Sequence, residues 1–302
     1  MKIALCFIIN YQHVLNKEDI WRKWIHYNKD IINVYFYYSD KTKIKSTWIL
    51  QHIIPEECIH PTNYFHVIPA YFSLFKYATN HDVQNQWFCL LTDSCCPIIS
   101  PKKFKNLFLV NYQKSIIKWK RAWWNVHLLR RANLANLPSN LHLANEPWFV
   151  IKREDIEVIN QYFQKKPDAV KLICDGGLAN ESLFAIILHS YNRLSPDFVE
   201  NSVTHAADWS RMASSTSPYL FKEATEKNME FIEQSLKENP FVMFIRKVAP
   251  EFPDEVLNKY LNFEGEKKKE TRPNDFISGV AFNLTVLFLI FSYYYWYFKY
   301  YI

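Results

Sequence analysis

Three polar residues close three short apolar runs: Asn10 after KIALCFII, Asp40 after NVYFYYS and Asp93 after WFCLLT. In an α/β sheet the side chains just beyond the carboxyl ends of strands are the ones that meet a ligand. These three therefore mark a binding edge, although each also suits a cap on the element that follows it. Glu181 opens the run ESLFAIIL, where a carboxylate by itself complements the dipole of a helix N-terminus. The run FVMFIRK closes on two cations, Arg246 and Lys247, which on their own read as a solvated strand end. Trp209 follows Asp208 ahead of a serine-rich stretch and reads first as a core residue. The basic and aromatic stretch Lys118–Arg131 has the composition that binds single-stranded nucleic acid by stacking and charge. It is read here as an ordinary helix face, and no nucleic-acid partner is expected.

These residues need a scaffold, and composition limits which. Glycine occurs four times in 302 residues, too rarely for the dinucleotide fingerprint or a phosphate-cradling P-loop in their usual forms. The net charge of +6 is a mild excess that identifies no partner. Six cysteines without a C-x-x-C pair argue against structural zinc and for buried, reduced thiols. Periodicity predicts strands at the N-terminus, at Asn33–Tyr38, at Trp87–Leu91, at Trp148–Ile151 and at Phe241–Lys247, and helices over Lys17–His26, His66–Thr79 and Lys152–Tyr162. A further helix, Asn180–Leu188, holds Glu181 in its first turn. Strands alternating with helices predict an α/β domain whose mainly parallel sheet is flanked by helices on both faces. No repeat or linker interrupts residues 1–262.

The chain ends differently. Residues 276–298, FISGVAFNLTVLFLIFSYYYWYF, run for 23 positions without a charge, long enough at 1.5 Å per residue to cross a hydrocarbon core of about 30 Å. Lys267, Lys268, Lys269 and Arg272 precede the segment and only Lys299 follows it. The positive-inside rule then predicts a C-terminal transmembrane anchor, joined by a charged hinge over 263–275, with the large domain in the cytosol.

Four stretches, in this order, resemble the core-2/I-branching β-1,6-N-acetylglucosaminyltransferase family, glycosyltransferase family 14, including its plant and viral relatives. WFCLLTDSCCPI is similar to that family's LLSESCIPL turn, and ANEPWFVIKRED to its GSQWFVLTR segment. ANESLFAIIL is similar to its P-D-E-x-x-F-x-T-x-L helix, and HAADWS with FVMFIRK to its Y-V-D-W and L-F-A-R-K-F pair. With the opening strand the resemblance covers about residues 2–255. It implies a GT-A-like (Rossmann-like) sheet that binds a UDP-sugar, typically UDP-N-acetylglucosamine, and transfers the sugar with inversion to a glycan or protein acceptor. Residue by residue it implies Glu181 as general base and Arg246 with Lys247 on the diphosphate. It also implies Asp40 and Asp93 on the donor and Trp209 beside the acceptor. The family dispenses with the metal-binding D-x-D motif, and no such triplet occurs here, so no metal cofactor is expected. Asn180 replaces the acid before the base and Glu146-Pro147 replaces the small G-S-Q segment, departures that bear on substrate more than on fold. They also keep open a second reading, a degenerate sugar- or protein-binding module at a membrane. A cytosolic enzyme of this kind fits a microbe or a large virus that glycosylates its own products.

Overall fold

The computed structural model describes residues 1–9, 12–63, 65–127, 131–214 and 217–263. The chain divides into Met1–Leu261 and Asn262–Ile302, and every element below belongs to the first unit. It opens with β1 (Lys2–Ile8), α1 (Glu18–His26), β2 (Ile32–Tyr37), the short α2 (Thr47–Leu50), α3 (Ile68–His81) and β3 (Asn85–Thr92). Next come β4 (Cys96–Pro97), α4 (Pro101–Asn111), β5 (Ser115–Ile116), β6 (Trp119–Arg121), β7 (Leu143–Asn145), β8 (Val150–Lys152), α5 (Arg153–Lys165), α6 (Pro167–Cys174) and α7 (Leu183–Ser190). The last third holds β9 (Val199–Glu200), β10 (His205–Ala207), α8 (Glu226–Glu238), β11 (Phe244–Arg246) and α9 (Asp254–Leu261).

The main sheet has six strands in the order β2-β1-β3-β8-β5-β9. Its first three strands are parallel, with Leu5 opposite both Val34 and Cys89. Alternation along these strands divides the core between two faces. Ala4, Cys6, Ile8, Tyr35, Tyr37, Phe88 and Leu90 join the cluster that includes α3, α5 and α7. On the opposite face Phe7 meets Trp21 of α1 edge-on at 4.9 Å and stacks on Phe36 at 4.9 Å, while Trp87 meets Phe108 of α4 at 5.4 Å. The indoles of α1 satisfy their own N–H groups: Trp21 donates to the Cys95 carbonyl and Trp24 to the Ile99 carbonyl, each at 2.9 Å. Cys6, Cys89, Cys95 and Cys96 are buried, Cys58 and Cys174 half-buried, and all six are free thiols.

The main sheet is mainly parallel as expected, three of its five pairings being parallel. The sheet is mixed, because β8 runs antiparallel to both β3 and β5, whereas β9 is parallel to β5. The chain reaches β8 from β7, which belongs to a separate two-stranded sheet, through Glu146, Pro147, Trp148 and Phe149, and Val150 at the start of β8 pairs with Cys89 towards the end of β3. β8 therefore enters from the carboxyl end of β3, and its leading loop is delivered to that edge. The expected fold class needs one correction, which concerns the membrane helix. Among the described residues no helix is long and apolar enough to cross a membrane. The longest of them, α3, has 14 residues, and the stretch 276–298, with the hinge before it, lies outside the described residues.

Two local expectations also change. Lys118–Arg131 supplies β6, paired antiparallel with β7, and its described residues contain no helix. Glu181 does not lie in the first turn of α7. It ends a 3₁₀ turn, Ala179–Glu181, separated from α7 by Ser182.

Trp21 is fully buried and touches Phe7, Trp24 and Phe244. Trp21→Ala is expected to lower unfolding free energy by about 3–5 kcal/mol, measured by urea titration. A loss below about 1 kcal/mol would mean that this aromatic layer does not carry the fold.

Candidate active site

A cleft of about 380 Å³ opens where β1 and β3 end, and its walls come from distant parts of the chain. Asp93 and Ser94 arrive from the turn after β3, and Pro147 and Trp148 from the loop before β8. Asn180 and Glu181 come from the 3₁₀ turn before α7, Trp209 from beyond β10, and Arg246 and Lys247 from the end of β11. Backbone hydrogen bonds lock these ends together. The Asp93 amide donates to the Ile8 carbonyl at 3.3 Å, the Asn16 amide to the Asp93 carbonyl at 2.8 Å, and the Val248 amide to the Ser94 carbonyl at 2.8 Å.

Glu181 is held by a buried amide network. The Asn145 side chain donates to the Asn180 carbonyl at 2.9 Å and to the Glu146 carbonyl at 3.0 Å, and accepts from the Ala185 amide at 3.2 Å. Asn180 donates to the Tyr71 hydroxyl at 3.3 Å, and that hydroxyl donates to the Pro147 carbonyl at 3.1 Å. Here Asn180 uses an N–H that an aspartate would lack, and its Oδ1 is buried without a partner. The carboxylate of Glu181 pairs with Arg131, whose guanidinium lies 4.8 Å and 5.4 Å from the ring centroids of Trp123 and Trp124. Arg131 comes so near because Gly176 offers no side chain. A Cβ there would stand 2.6 Å from the Asn133 nitrogen and 2.7 Å from the Arg131 carbonyl oxygen.

The opposite wall is cationic. Arg246 is 5% exposed, its guanidinium carbon lies 3.3 Å from the centre of the Trp148 ring, Nη1 donates to Thr92 Oγ1 at 3.3 Å, and Nε is buried without a partner. Burial lowers its pKa, opposed by Cys95, Tyr71 and Asp93. Lys247 donates to Ser217 Oγ at 2.6 Å, and burial lowers the pKa of its ammonium, with Arg246 adding to the effect. Burial raises the pKa of the Asp93 carboxyl, opposed first by Arg246. Two cations and one reluctant carboxylate make this wall a receptor for an anion of more than one charge.

Glu181, Pro147 and Trp209 also line an adjoining cavity of about 440 Å³, with Lys118, Lys120, Trp123, Arg131 and Glu146 on its other sides. Trp209 is 38% exposed and stacks with Trp148 at 6.5 Å and 18°, so it presents an aromatic surface at the rim.

Of the residues singled out in the sequence, Glu181, Arg246, Lys247, Asp93 and Trp209 thus share one cleft. Asp40 stands apart. Its Oδ1 accepts from the Thr42 amide at 3.0 Å and from the Thr42 hydroxyl at 2.6 Å, capping the 3₁₀ turn Lys41–Lys43, and it lines a separate hollow with Tyr38, Ser39 and Glu56. Asn10 lies outside the described residues. Arg131, Trp148, Tyr71 and Thr92 escaped notice in the sequence. Trp148 was readable as the start of a strand, but nothing local ties Arg131 to a carboxylate 50 positions later. Among the described residues no group of three or more His, Cys, Asp or Glu side chains converges as a metal site requires.

The sequence model of the family described as "Core-2/I-Branching enzyme" matches residues 36–233. This span contains Glu181, Asp93 and Trp209 and stops before Arg246. No curated protein sequence matches the chain. Among solved structures, one described as the "crystal structure of a glycosyltransferase involved in the glycosylation of the major capsid of PBCV-1" is similar over 86% of this chain and 100% of that one, at 9% identity and a TM-score of 0.30. That degree of likeness carries no argument about site or fold.

Gly176→Ala is expected to push residues 131–133 away, costing about 1–3 kcal/mol of stability and weakening the Arg131–Glu181 pair. Thermal melts of Gly176→Ala and of Arg131→Met, alone and combined, test the coupling. Strictly additive losses would show that the close approach at Gly176 does not position Arg131.

Proposed function

Because the chain belongs to the core-2/I-branching enzyme family and is a glycosyltransferase, we propose that the cleft between Glu181 and Arg246/Lys247 transfers a sugar from a UDP-linked donor with inversion. The donor class favoured is UDP-N-acetylglucosamine and the acceptor is a hydroxyl of a glycan or glycoprotein. The observation that carries this reading is that one carboxylate and two cations line a single cleft.

In the proposed reaction Glu181 accepts the proton of the acceptor hydroxyl as its oxygen attacks the anomeric carbon. The bond from that carbon to the diphosphate breaks on the opposite face, so the configuration inverts and UDP departs with the bonding pair. The charge gathering on the diphosphate falls to Arg246 and Lys247, which are fixed before the reaction and need little reorganisation. They take the part that a divalent metal plays elsewhere, and the proposed reaction needs none. Arg131 holds Glu181 in place, and Asp93, beside both cations, restrains their charge until the diphosphate arrives.

Release of UDP from a panel of UDP-sugars, measured on the purified chain in EDTA, tests the reading. Turnover is expected to persist in EDTA and to fall by about 10²–10⁴ in Glu181→Gln. Turnover that requires added metal, or that survives Glu181→Gln, would overturn it. Donor binding with no turnover toward any acceptor would favour the non-catalytic sugar-binding module.

A second expectation follows from the lowered pKa of Lys247. Its ammonium is the charged form and is lost as pH rises, so UDP affinity should start to weaken below the pH at which a free lysine titrates. In Lys247→Arg that alkaline weakening should disappear. A UDP-binding profile identical in both proteins would place Lys247 off the diphosphate.

A further inference from the structure

Lys247 needs a device that Arg246 does not. Arg246 lies against the Trp148 ring and is tied to Thr92, and its planar guanidinium keeps little freedom there. A lysine ammonium ends a flexible four-carbon stem, and burial favours its neutral form. Loss of position or of charge would each weaken it as a partner for a diphosphate. The group that meets Lys247 is Ser217, whose Oγ accepts from Nζ at 2.6 Å. An ammonium has no lone pair, so the direction of this bond is fixed, and a hydroxyl that accepts from it favours the charged form.

A backbone register brings Ser217 to that place. The Lys247 amide donates to the Tyr219 carbonyl at 3.3 Å, the Phe221 amide to the Lys247 carbonyl at 2.8 Å, and the Ala249 amide to the Phe221 carbonyl at 2.9 Å. This ladder aligns residues 219–221 with the end of β11, two positions beyond Ser217. Tyr219 is pinned in turn. Its amide donates to the Asp208 carbonyl at 2.9 Å, and its ring centroid lies 4.0 Å from the guanidinium of Arg211, which donates to the Asp208 carboxylate at 2.6 Å. We propose that Ser217 is a positioning residue for Lys247, holding its ammonium at the cleft, in the charged form, for the diphosphate of the donor. The proposal rests on the transferase reading in naming the anion, but the contact itself can be measured without a ligand. The other groups acting on Lys247 are Arg246 beside it, which opposes the ammonium, and Asp93 and Cys95 from the turn after β3, which favour it. A Ser217 substitution leaves all three in place.

Two measurements on the full chain test it, each made on the wild type, Ser217→Ala and Ser217→Thr. Acetylation of Lys247 by acetic anhydride across a pH series, read by peptide mass spectrometry, follows its neutral amine. Labelling is expected to begin at lower pH in Ser217→Ala and to match the wild type in Ser217→Thr. In calorimetric titration UDP is expected to bind Ser217→Ala about 3–10-fold more weakly than the wild type, with affinity restored in Ser217→Thr. Uridine, which lacks the diphosphate, should bind all three alike. A labelling profile indifferent to Ser217→Ala, an unchanged UDP affinity, or equal losses for UDP and uridine overturns the proposal. If UDP binds none of the proteins while the labelling shift is seen, the donor reading fails and the role of Ser217 toward Lys247 stands.

Discussion

Arg246 carries a permanent positive charge at 5% exposure, against the ring of Trp148 and within reach of Thr92, and a charge so placed has to be compensated by what surrounds it. The quadrupole of Trp148 and the carboxylate of Asp93 supply part of that compensation. Each has to be brought there by its own strand end, Asp93 by β3 and Trp148 by the entry to β8. The burial of one guanidinium therefore couples the main sheet to the smaller sheet of β10, β11 and β4. The Nε of Arg246 is buried without a partner.

The opposite wall is built from neutral hydrogen bonds. Asn145, Asn180 and Tyr71 form a chain of amides and a phenol in which nearly every donor finds an acceptor, and the backbone of Pro147 closes it. Such networks keep their geometry because a displaced member would leave a buried polar group bare. Glu181 follows directly on Asn180, so its position inherits that rigidity while its charge is met separately by Arg131.

Much of this was legible in the sequence, for definite reasons. The runs at β1, β2 and β3 are apolar on both faces and each stops at a polar residue, so the strands, their order of appearance and the placement of Asp93 could be read directly. Glu181, Arg246, Lys247 and Trp209 were legible through motif order. Direction was not: a short apolar run such as Trp148–Ile151 looks the same from either end, and β8 pairs antiparallel with both of its neighbours. The 3₁₀ turn ahead of α7 was hidden because Asn180–Leu188, a polar opening followed by an apolar run, has the pattern and length of one helix. Arg131 belongs to a stretch whose charge suggested a surface and whose partner lies far along the chain. Asp40 illustrates the reverse problem, since an aspartate after a strand makes the same signal whether it caps a turn or meets a ligand, and here it caps.

The four-residue link between β7 and β8 has a consequence for how such an enzyme diversifies. Glu146, Pro147 and Trp148 touch the cavities on both sides of Trp209, yet Glu146 and Pro147 enter the hydrogen-bond network through their carbonyl oxygens. Those carbonyls belong to the backbone and are present whichever side chain is attached. A lineage can exchange the side chains of Glu146 and Pro147, from small to acidic or bulky, while the scaffold keeps its register and Trp148 stays against Arg246. New preferences can thus arise by drift at two adjacent codons, with the turn that carries Glu181 inherited unchanged.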